Sequence, residues 1–290
     1  MANFPHAQTV VITGTSTGIG AACALALDRL GWRVFAGVRR GQDGEALRAQ
    51  ASPRLRPIIL DVTDTPSLAQ AVETVRETVG SSGLAGLVNN AGIVVAGPLE
   101  VLDLNDLRKQ LEVNVIGQVA VTQAFIPLLR LGHGRIVNVG SIAGLSAMPF
   151  MGSYSASKFA LEALTDALRL ELQAWGIQVS IVEPGAIATP LWRKSNEDAK
   201  QREAAASPEA KVLYGQAIAG VRERVKQAEQ RAVPPDAVVD AIVHALTASC
   251  PNTRYLVGAD AKLRAFLTRV LPDRLQDRFL TWALKLPRPS

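Results

Sequence analysis

The chain is predicted to be α/β: a doubly wound, mostly parallel sheet with helices on both faces and a C-terminal helical extension. Three observations predict this. Short β-branched runs alternate with longer helical patterns along most of the 290 residues, which is the signature of βαβ units. The runs are apolar nearly throughout, as strands covered on both faces must be. Glycine-rich and polar motifs follow directly on those runs, at the carboxyl ends of the strands, where such sheets hold their ligands.

The runs are Thr9–Thr13, Arg33–Val38, Leu55–Val62, Leu84–Asn89, Arg135–Val139, Gln178–Glu183 and Thr253–Val257. Helical patterns cover Ala21–Leu30, Ser67–Val79, Leu104–Leu131 and Ser153–Trp175, and Thr65-Pro66 reads as an N-cap followed by proline at the first helical position. No repeat or linker divides the chain, so residues 1–260 are expected to form one domain. Beyond it, Leu263, Phe266, Leu267, Val270 and Leu271, then Leu275, Phe279, Trp282 and Leu286, recur among arginines. That spacing makes residues 261–290 one or two amphipathic basic helices, broken at Pro272.

Charge and cysteine content exclude several function classes. Residues 261–290 hold seven Lys/Arg against two Asp/Glu, which accounts for the whole formal charge of +5. The body is therefore neutral and is not a nucleic-acid-binding surface. Cys23 and Cys250, placed in a helix or at a helix end, give no disulfide framework, and His6, His133 and His244 are scattered, so no metal site is expected. The opening MANFPHAQTVVITG lacks the pattern of a signal peptide, and no run of eighteen apolar residues marks a spanning helix. A cytoplasmic protein is expected. The C-terminal helices are read either as packed on the domain or a second subunit, or as lying on an anionic membrane surface.

After the first strand comes Thr13-Gly14-Thr15-Ser16-Thr17-Gly18-Ile19-Gly20, opening a helix. Gly14 and Gly18 permit a tight turn and close backbone approach, Gly20 lets helix pack on strand, and the helix N-terminus offers free N–H groups to a pyrophosphate. The loop points to a dinucleotide. An acidic residue ending the second strand would accept from the ribose hydroxyls of NAD; here Val38 offers no acceptor and Arg39 and Arg40 follow. A guanidinium there pairs with a 2′-phosphate, which favours NADP(H) over the alternative, NAD(H). Asp61 and Val62 are placed to meet the adenine, and Asn90, Ala91 and Gly92 to let backbone approach the cofactor ribose.

Ser141 follows the fifth strand, and Tyr154 and Lys158, four apart on one helix, project from a common face. An ammonium beside a phenol favours the phenolate and lowers its pKa from about 10. A phenol so tuned serves as general acid for a carbonyl oxygen or base for an alcohol, and Ser141 would hydrogen-bond the same oxygen as charge develops on it. A lone Tyr-x-x-x-Lys also occurs on helices that face solvent.

Together with Asn114 and Pro184-Gly185-x-Ile187-x-Thr189, these motifs resemble the short-chain dehydrogenase/reductase family over nearly the whole chain to Gly258, in order and in spacing. The resemblance implies a Rossmann fold and a catalytic set of Asn114, Ser141, Tyr154 and Lys158. Lys158 would also hold the nicotinamide ribose, Asn114 would anchor a water, and Pro184, Gly185, Ile187 and Thr189 would seat the carboxamide. Thr17 departs from the basic residue that NADP-preferring members often carry at its position. The Ser141–Leu164 segment resembles 17β-hydroxysteroid and retinol dehydrogenases. This implies a hydrophobic substrate, steroid-, retinoid- or lipid-like, walled by Leu145, Met148, Phe150 and Met151, with Leu191 and Trp192 in a helical lid over residues 190–230. The alternatives are an NAD(H)-dependent dehydrogenase of a small or aromatic alcohol, and a non-catalytic dinucleotide sensor or scaffold. A homodimer or homotetramer is expected.

Overall fold

The computed structural model describes residues 8–284 and 286. His6 and the last part of the predicted extension, residues 285 and 287–290, lie outside the described residues. The strands are β1 (Thr9–Ile12), β2 (Arg33–Val38), β3 (Leu55–Ile59), β4 (Gly86–Asn89), β5 (Arg135–Val139), β6 (Gln178–Pro184) and β7 (Arg254–Val257). Among the described residues they form one seven-stranded sheet, in the order β3-β2-β1-β4-β5-β6-β7 with every pairing parallel. The order reverses between β1 and β4. A crevice opens there beyond the carboxyl ends of the strands.

Neighbouring strand residues feed opposite faces, which is why the runs read as apolar throughout. Val10, Ile12, Val34 and Ala36 pack with Cys23, Ala24 and Leu27 of α1 (Gly18–Arg29) and with Val238 and Ile242 of α9 (Asp236–Thr247). Val11 and Phe35 pack on the other side, with Leu68, Ala71 and Val75 of α3 (Thr65–Val79) and Val121, Phe125 and Leu129 of α5 (Gly117–Leu131). Asp64, one residue before the predicted cap, caps α3 by accepting from Ser67 N, with Pro66 in the first turn. Two helices have no counterpart among the predicted elements: the short polar α2 (Gly41–Arg48) and α9. Burial pushes the Cys23 thiol up to about 12, leaving it unreactive, and Cys250 is exposed beyond the end of α9.

The predicted helix 104–131 is one continuous run with an inserted irregularity. α4 (Leu104–Leu111) passes through a π-helical turn, Glu112–Ile116, into α5. By length and composition this run could cross a membrane, contrary to the expectation of no such helix. Its apolar residues Val121, Phe125, Leu128 and Leu129 are nevertheless buried against the sheet.

The remaining helices are α6 (Gly152–Glu171), α7 (Pro190–Ala205), α8 (Pro208–Gln230), α10 (Ala259–Val270) and α11 (Asp273–Ala283). The break at Pro272 falls where predicted, between α10 and α11. α10 packs on the body: Ala261 and Ala265 bury against Ile142, with Leu145 alongside.

Candidate active site

The glycine loop closes on the end of β4. Gly14 and Gly18 hold φ of +67° and +61°, which a side chain rarely adopts. A Cβ on Gly20 would fall 2.3 Å from Gly14 O and 2.4 Å from Asn90 Nδ2, so only glycine fits. Asn90 Nδ2 donates to the carbonyls of Thr13 (2.9 Å) and Gly14 (3.0 Å). Thr13 Oγ1, fully buried, accepts from the backbone N–H groups of Asn90 and Ala91. Thr15 donates to Gly37 O from both its backbone N–H and its hydroxyl, pinning the loop to β2. Ser16 and Thr17 are exposed and Ile19 is half-buried. Thr17, the N-cap of α1, makes no side-chain cap, so the first-turn amides remain available to an anion. Across the crevice, a Cβ on Gly18 would lie 3.3 Å from Thr189 Cβ.

At the end of β2 the two arginines part company. Arg40 forks onto Asp43 (Nε–Oδ2 2.9 Å, Nη2–Oδ1 3.0 Å) in an exposed pair one turn apart. Arg39 is exposed and free of any ion pair or hydrogen bond among the described residues. Val38 is buried, 1% exposed, with Cγ2 3.2 Å from where a Cβ on Gly44 would sit. Asp61 Oδ1 accepts from Thr63 N and Oγ1, and Val62 packs over Gly117.

A polar stripe on the α4–α5 run holds the segment after β4. Gln110, Asn114 and Gln118, four apart and all buried, reach in turn Val95 N and Ile93 O, Ile93 N and O, and Ala91 O. Asn114 Nδ2 also donates to Ser157 Oγ of α6 at 3.2 Å, and its Oδ1 lies 3.4 Å from where a Cβ on Gly92 would sit. π-turns cluster at functional positions, and this one carries Asn114. Gln110 and Gln118 are absent from the predicted site, although their spacing of four from Asn114 is a signal that could have found them.

Ser141, at the mouth of β5, accepts from Ala143 N at 3.1 Å. Burial raises the Tyr154 pKa, offset in part by the Ser141 side chain. The predicted lowering by Lys158 is not what dominates, because burial of the phenol outweighs it. Lys158 Nζ donates to Val139 O at 2.7 Å and lies 5.8 Å from the Tyr154 ring centroid. Burial also brings Lys158 down to about 8, resisted by the charge of Glu162.

Phe150 and Met151, just before Tyr154, border a cavity of about 980 Å³ whose lining includes neither Ser141 nor Tyr154. Phe150, Met151 and Trp192 line it, with Val101, Tyr214 and Ile218. Phe150 holds φ +64°, uncommon for a non-glycine residue, and meets Tyr214 edge-on, centroids 6.2 Å apart. Of the other predicted wall residues, Leu145 packs towards α10, and Met148 and Leu191 are half-buried outside the lining. The α7–α8 hairpin is latched over the cavity: Arg202 pairs with Asp106 at 2.7 Å and reaches Ala96 O at 3.3 Å, and Tyr214 hydrogen-bonds Glu100.

Two residues before Thr189, Ile187 forms a parallel bridge with Val233 and is buried. Gly185 N donates to Val257 O, and Asp260 at the start of α10 accepts from Ala186 N at 2.8 Å, in the space a Gly185 side chain would need. One turn on, Arg264 donates to Ser146 O at 2.8 Å.

The short chain dehydrogenase family model matches residues 8–200. The chain belongs to this family. It is similar to bovine (Bos taurus) 17-beta-hydroxysteroid dehydrogenase type 6, 43% identical over 97% of this chain and 89% of that one. It is also similar to mouse (Mus musculus) retinol dehydrogenase 5, 39% identical over the same shares. A short chain dehydrogenase from Burkholderia cenocepacia J2315, solved in complex with NADP, superposes with TM-score 0.72 at 28% identity, covering 97% of this chain and 99% of that one. The chain is thus an NAD(P)-dependent short-chain dehydrogenase/reductase of the retinol and hydroxysteroid dehydrogenase-like branch.

Proposed function

We propose that this dehydrogenase uses NADP(H) to interconvert a hydrophobic ketone or aldehyde and its alcohol, with Tyr154 as acid/base. The observation that carries the reading is buried Lys158 with its Nζ over the Tyr154 ring and Ser141 drawing that phenol's pKa down, at the same strand ends as the uncapped glycine loop. The fit to a dinucleotide rests on that loop: two left-handed glycines, a third with no room for a side chain, and free first-turn amides. Gly14–Gly20 would hold the pyrophosphate, Asp61 and Val62 the adenine, Asn90–Gly92 and Lys158 the ribose, and Pro184–Thr189 the carboxamide. The bound nicotinamide supplies or accepts the hydride. In reduction, the Tyr154 O–H gives its proton to the carbonyl oxygen, Ser141 donates a hydrogen bond to the same oxygen, and charged Lys158 stabilises the phenolate left behind. Asn114 keeps α6 in register with the crevice through Ser157.

The cavity over Met151 and Trp192, closed by the α7–α8 lid, supports a hydrophobic substrate. The unpaired Arg39 supports NADP(H), and the solved relative bound to NADP agrees. A charge-assisted pair contributes about 1.5–3 kcal/mol, roughly tenfold to a hundredfold in affinity. Isothermal titration should therefore show NADPH binding more tightly than NADH, with Arg39→Ala closing most of the gap. Equal affinities in the wild type refute the assignment.

Residues 1–260 act as the catalytic unit in this reading. The exposed Leu263, Phe266, Val270, Leu275, Phe279 and Trp282 of α10–α11, among Lys262, Arg269, Arg274 and Arg278, support contact of a cytoplasmic protein with an anionic membrane surface. Flotation with vesicles containing anionic lipid tests that contact. Exposed Ile116 and Phe159 support a homodimer or homotetramer, which light scattering distinguishes.

A further inference from the structure

Behind Lys158 lies a buried acidic pair that the chemistry above does not use. Glu183 ends β6 with no exposed surface, and Glu162, 7% exposed, stands one turn of α6 beyond Lys158. Arg254 of β7 serves both: Nη1 hydrogen-bonds Glu162 Oε2 and reaches Glu183 Oε1 at 3.4 Å, and Nη2 pairs with Asp166 at 2.7 Å. The other two oxygens, Glu162 Oε1 and Glu183 Oε2, are buried and have no hydrogen-bond partner, and their carboxylates meet on one nitrogen of Arg254. Two ionised carboxylates there would leave both acceptors empty and share one guanidinium, a costly arrangement for buried charge. One proton between them fills both positions.

The remaining charged neighbours are accounted for. On α6, Asp166 also pairs with Arg169 at 3.0 Å. In the turn after β5, Gly140 and Gly144 leave room where a side chain would strike Glu162 or the Lys158 carbonyl. On α10, Asp260 is engaged by Ala186 N and Arg264 by Ser146 O.

We infer that Glu162 and Glu183 share a single proton, and that the one negative charge they keep makes Glu162 a positioning residue that holds Lys158 charged. The functional half rests on the reading of Lys158 given above. The titration behaviour agrees: burial and the neighbouring Glu162 push Glu183 up to about 8, opposed by Arg254, while Glu162 is the group that resists the loss of charge on Lys158.

Infrared spectroscopy of the purified protein tests the shared proton directly. A protonated-carboxyl C=O stretch should be present at neutral pH, fade as pH passes about 8, and be missing from both E162Q and E183Q. Its absence from the wild type, or its survival in E183Q, overturns the shared proton. Unfolding gives a second test should E162Q not fold. The folded wild type binds this proton between the ordinary value of 4.5 and about 8, where the unfolded chain does not. Its stability therefore falls with rising pH across that window, and E183Q should gain on it. A difference between the two that stays constant from about pH 5 to 8 counts against the pair. For Lys158, the alkaline limb of kcat/KM should move to lower pH by about one unit in E162Q, further than in E183Q, whose amide still donates to Glu162. An unmoved limb in folded E162Q removes Glu162 from that role. The infrared and unfolding arms need neither substrate nor cofactor, so their failure is separable from a failure of the reductase reading.

Discussion

Thr13→Val preserves side-chain volume and deletes one oxygen. That oxygen accepts from Asn90 N at 3.0 Å and Ala91 N at 2.9 Å where the chain leaves β4, and Thr13 is fully buried. Each lost hydrogen bond costs about 0.5–1.5 kcal/mol net, and each stranded buried N–H about 1–3 kcal/mol. The swap should therefore cost about 2–4 kcal/mol, a large share of the roughly 5–15 kcal/mol that holds a domain folded. The damage falls where Asn90 braces the glycine loop, so NADPH affinity should fall with stability. Thr13→Ser keeps the oxygen, loses one methyl group and should cost about 1 kcal/mol. Urea unfolding followed by tryptophan fluorescence, read at matched m-values, ranks the two. A Val variant within about 0.5 kcal/mol of wild type, or a Ser variant less stable than Val, refutes the account of this loop.

Tyr154→Phe should leave NADPH binding intact and lower kcat/KM by about 10²–10⁴-fold; a variant retaining most of its turnover removes Tyr154 from the chemistry. Carbonyl reduction should decline as pH rises through about 8, where buried Lys158 loses its proton, and Lys158→Met should lose activity at every pH and bind NADPH more weakly. A depressed lysine pKa also means that folding is favoured by raising pH from about 8 towards the ordinary 10.5, so this group's share of stability must grow across that window in urea titrations. Arg202→Ala unlatches α7–α8 from Asp106 and Ala96. For a half-exposed pair it should cost at most about 1 kcal/mol of stability, yet raise KM for a bulky substrate several-fold, and an unchanged KM would argue against a closing role.

Much of the fold and of the candidate site is legible in the amino-acid sequence. All seven strands sit on the apolar runs, most plainly the five inner ones, because a strand buried on both faces has few polar positions to blur it. Ser141, Tyr154, Lys158 and the glycine loop are readable because their chemistry demands specific residue types at fixed spacing. What escapes depends on partners that spacing does not reveal. Arg39 and Arg40 look alike as letters, and only Asp43, three residues on, decides which of them is free. Val38 reads as a neighbour of the ribose, although it is buried at the end of β2. Leu145 reads as pocket wall until α10, more than a hundred residues later, claims it. The Glu162–Glu183–Arg254 cluster joins three elements and has no local pattern at all.

α10 touches both rims of the crevice with side chains four residues apart: Asp260 grips the backbone at Ala186, and Arg264 grips it at Ser146. The two loops are thus clamped to a single rigid rod and share its motion. α10 is in this sense a clasp across the active-site mouth: the spacing between the backbone at Ala186 and at Ser146 is set by the four residues from Asp260 to Arg264.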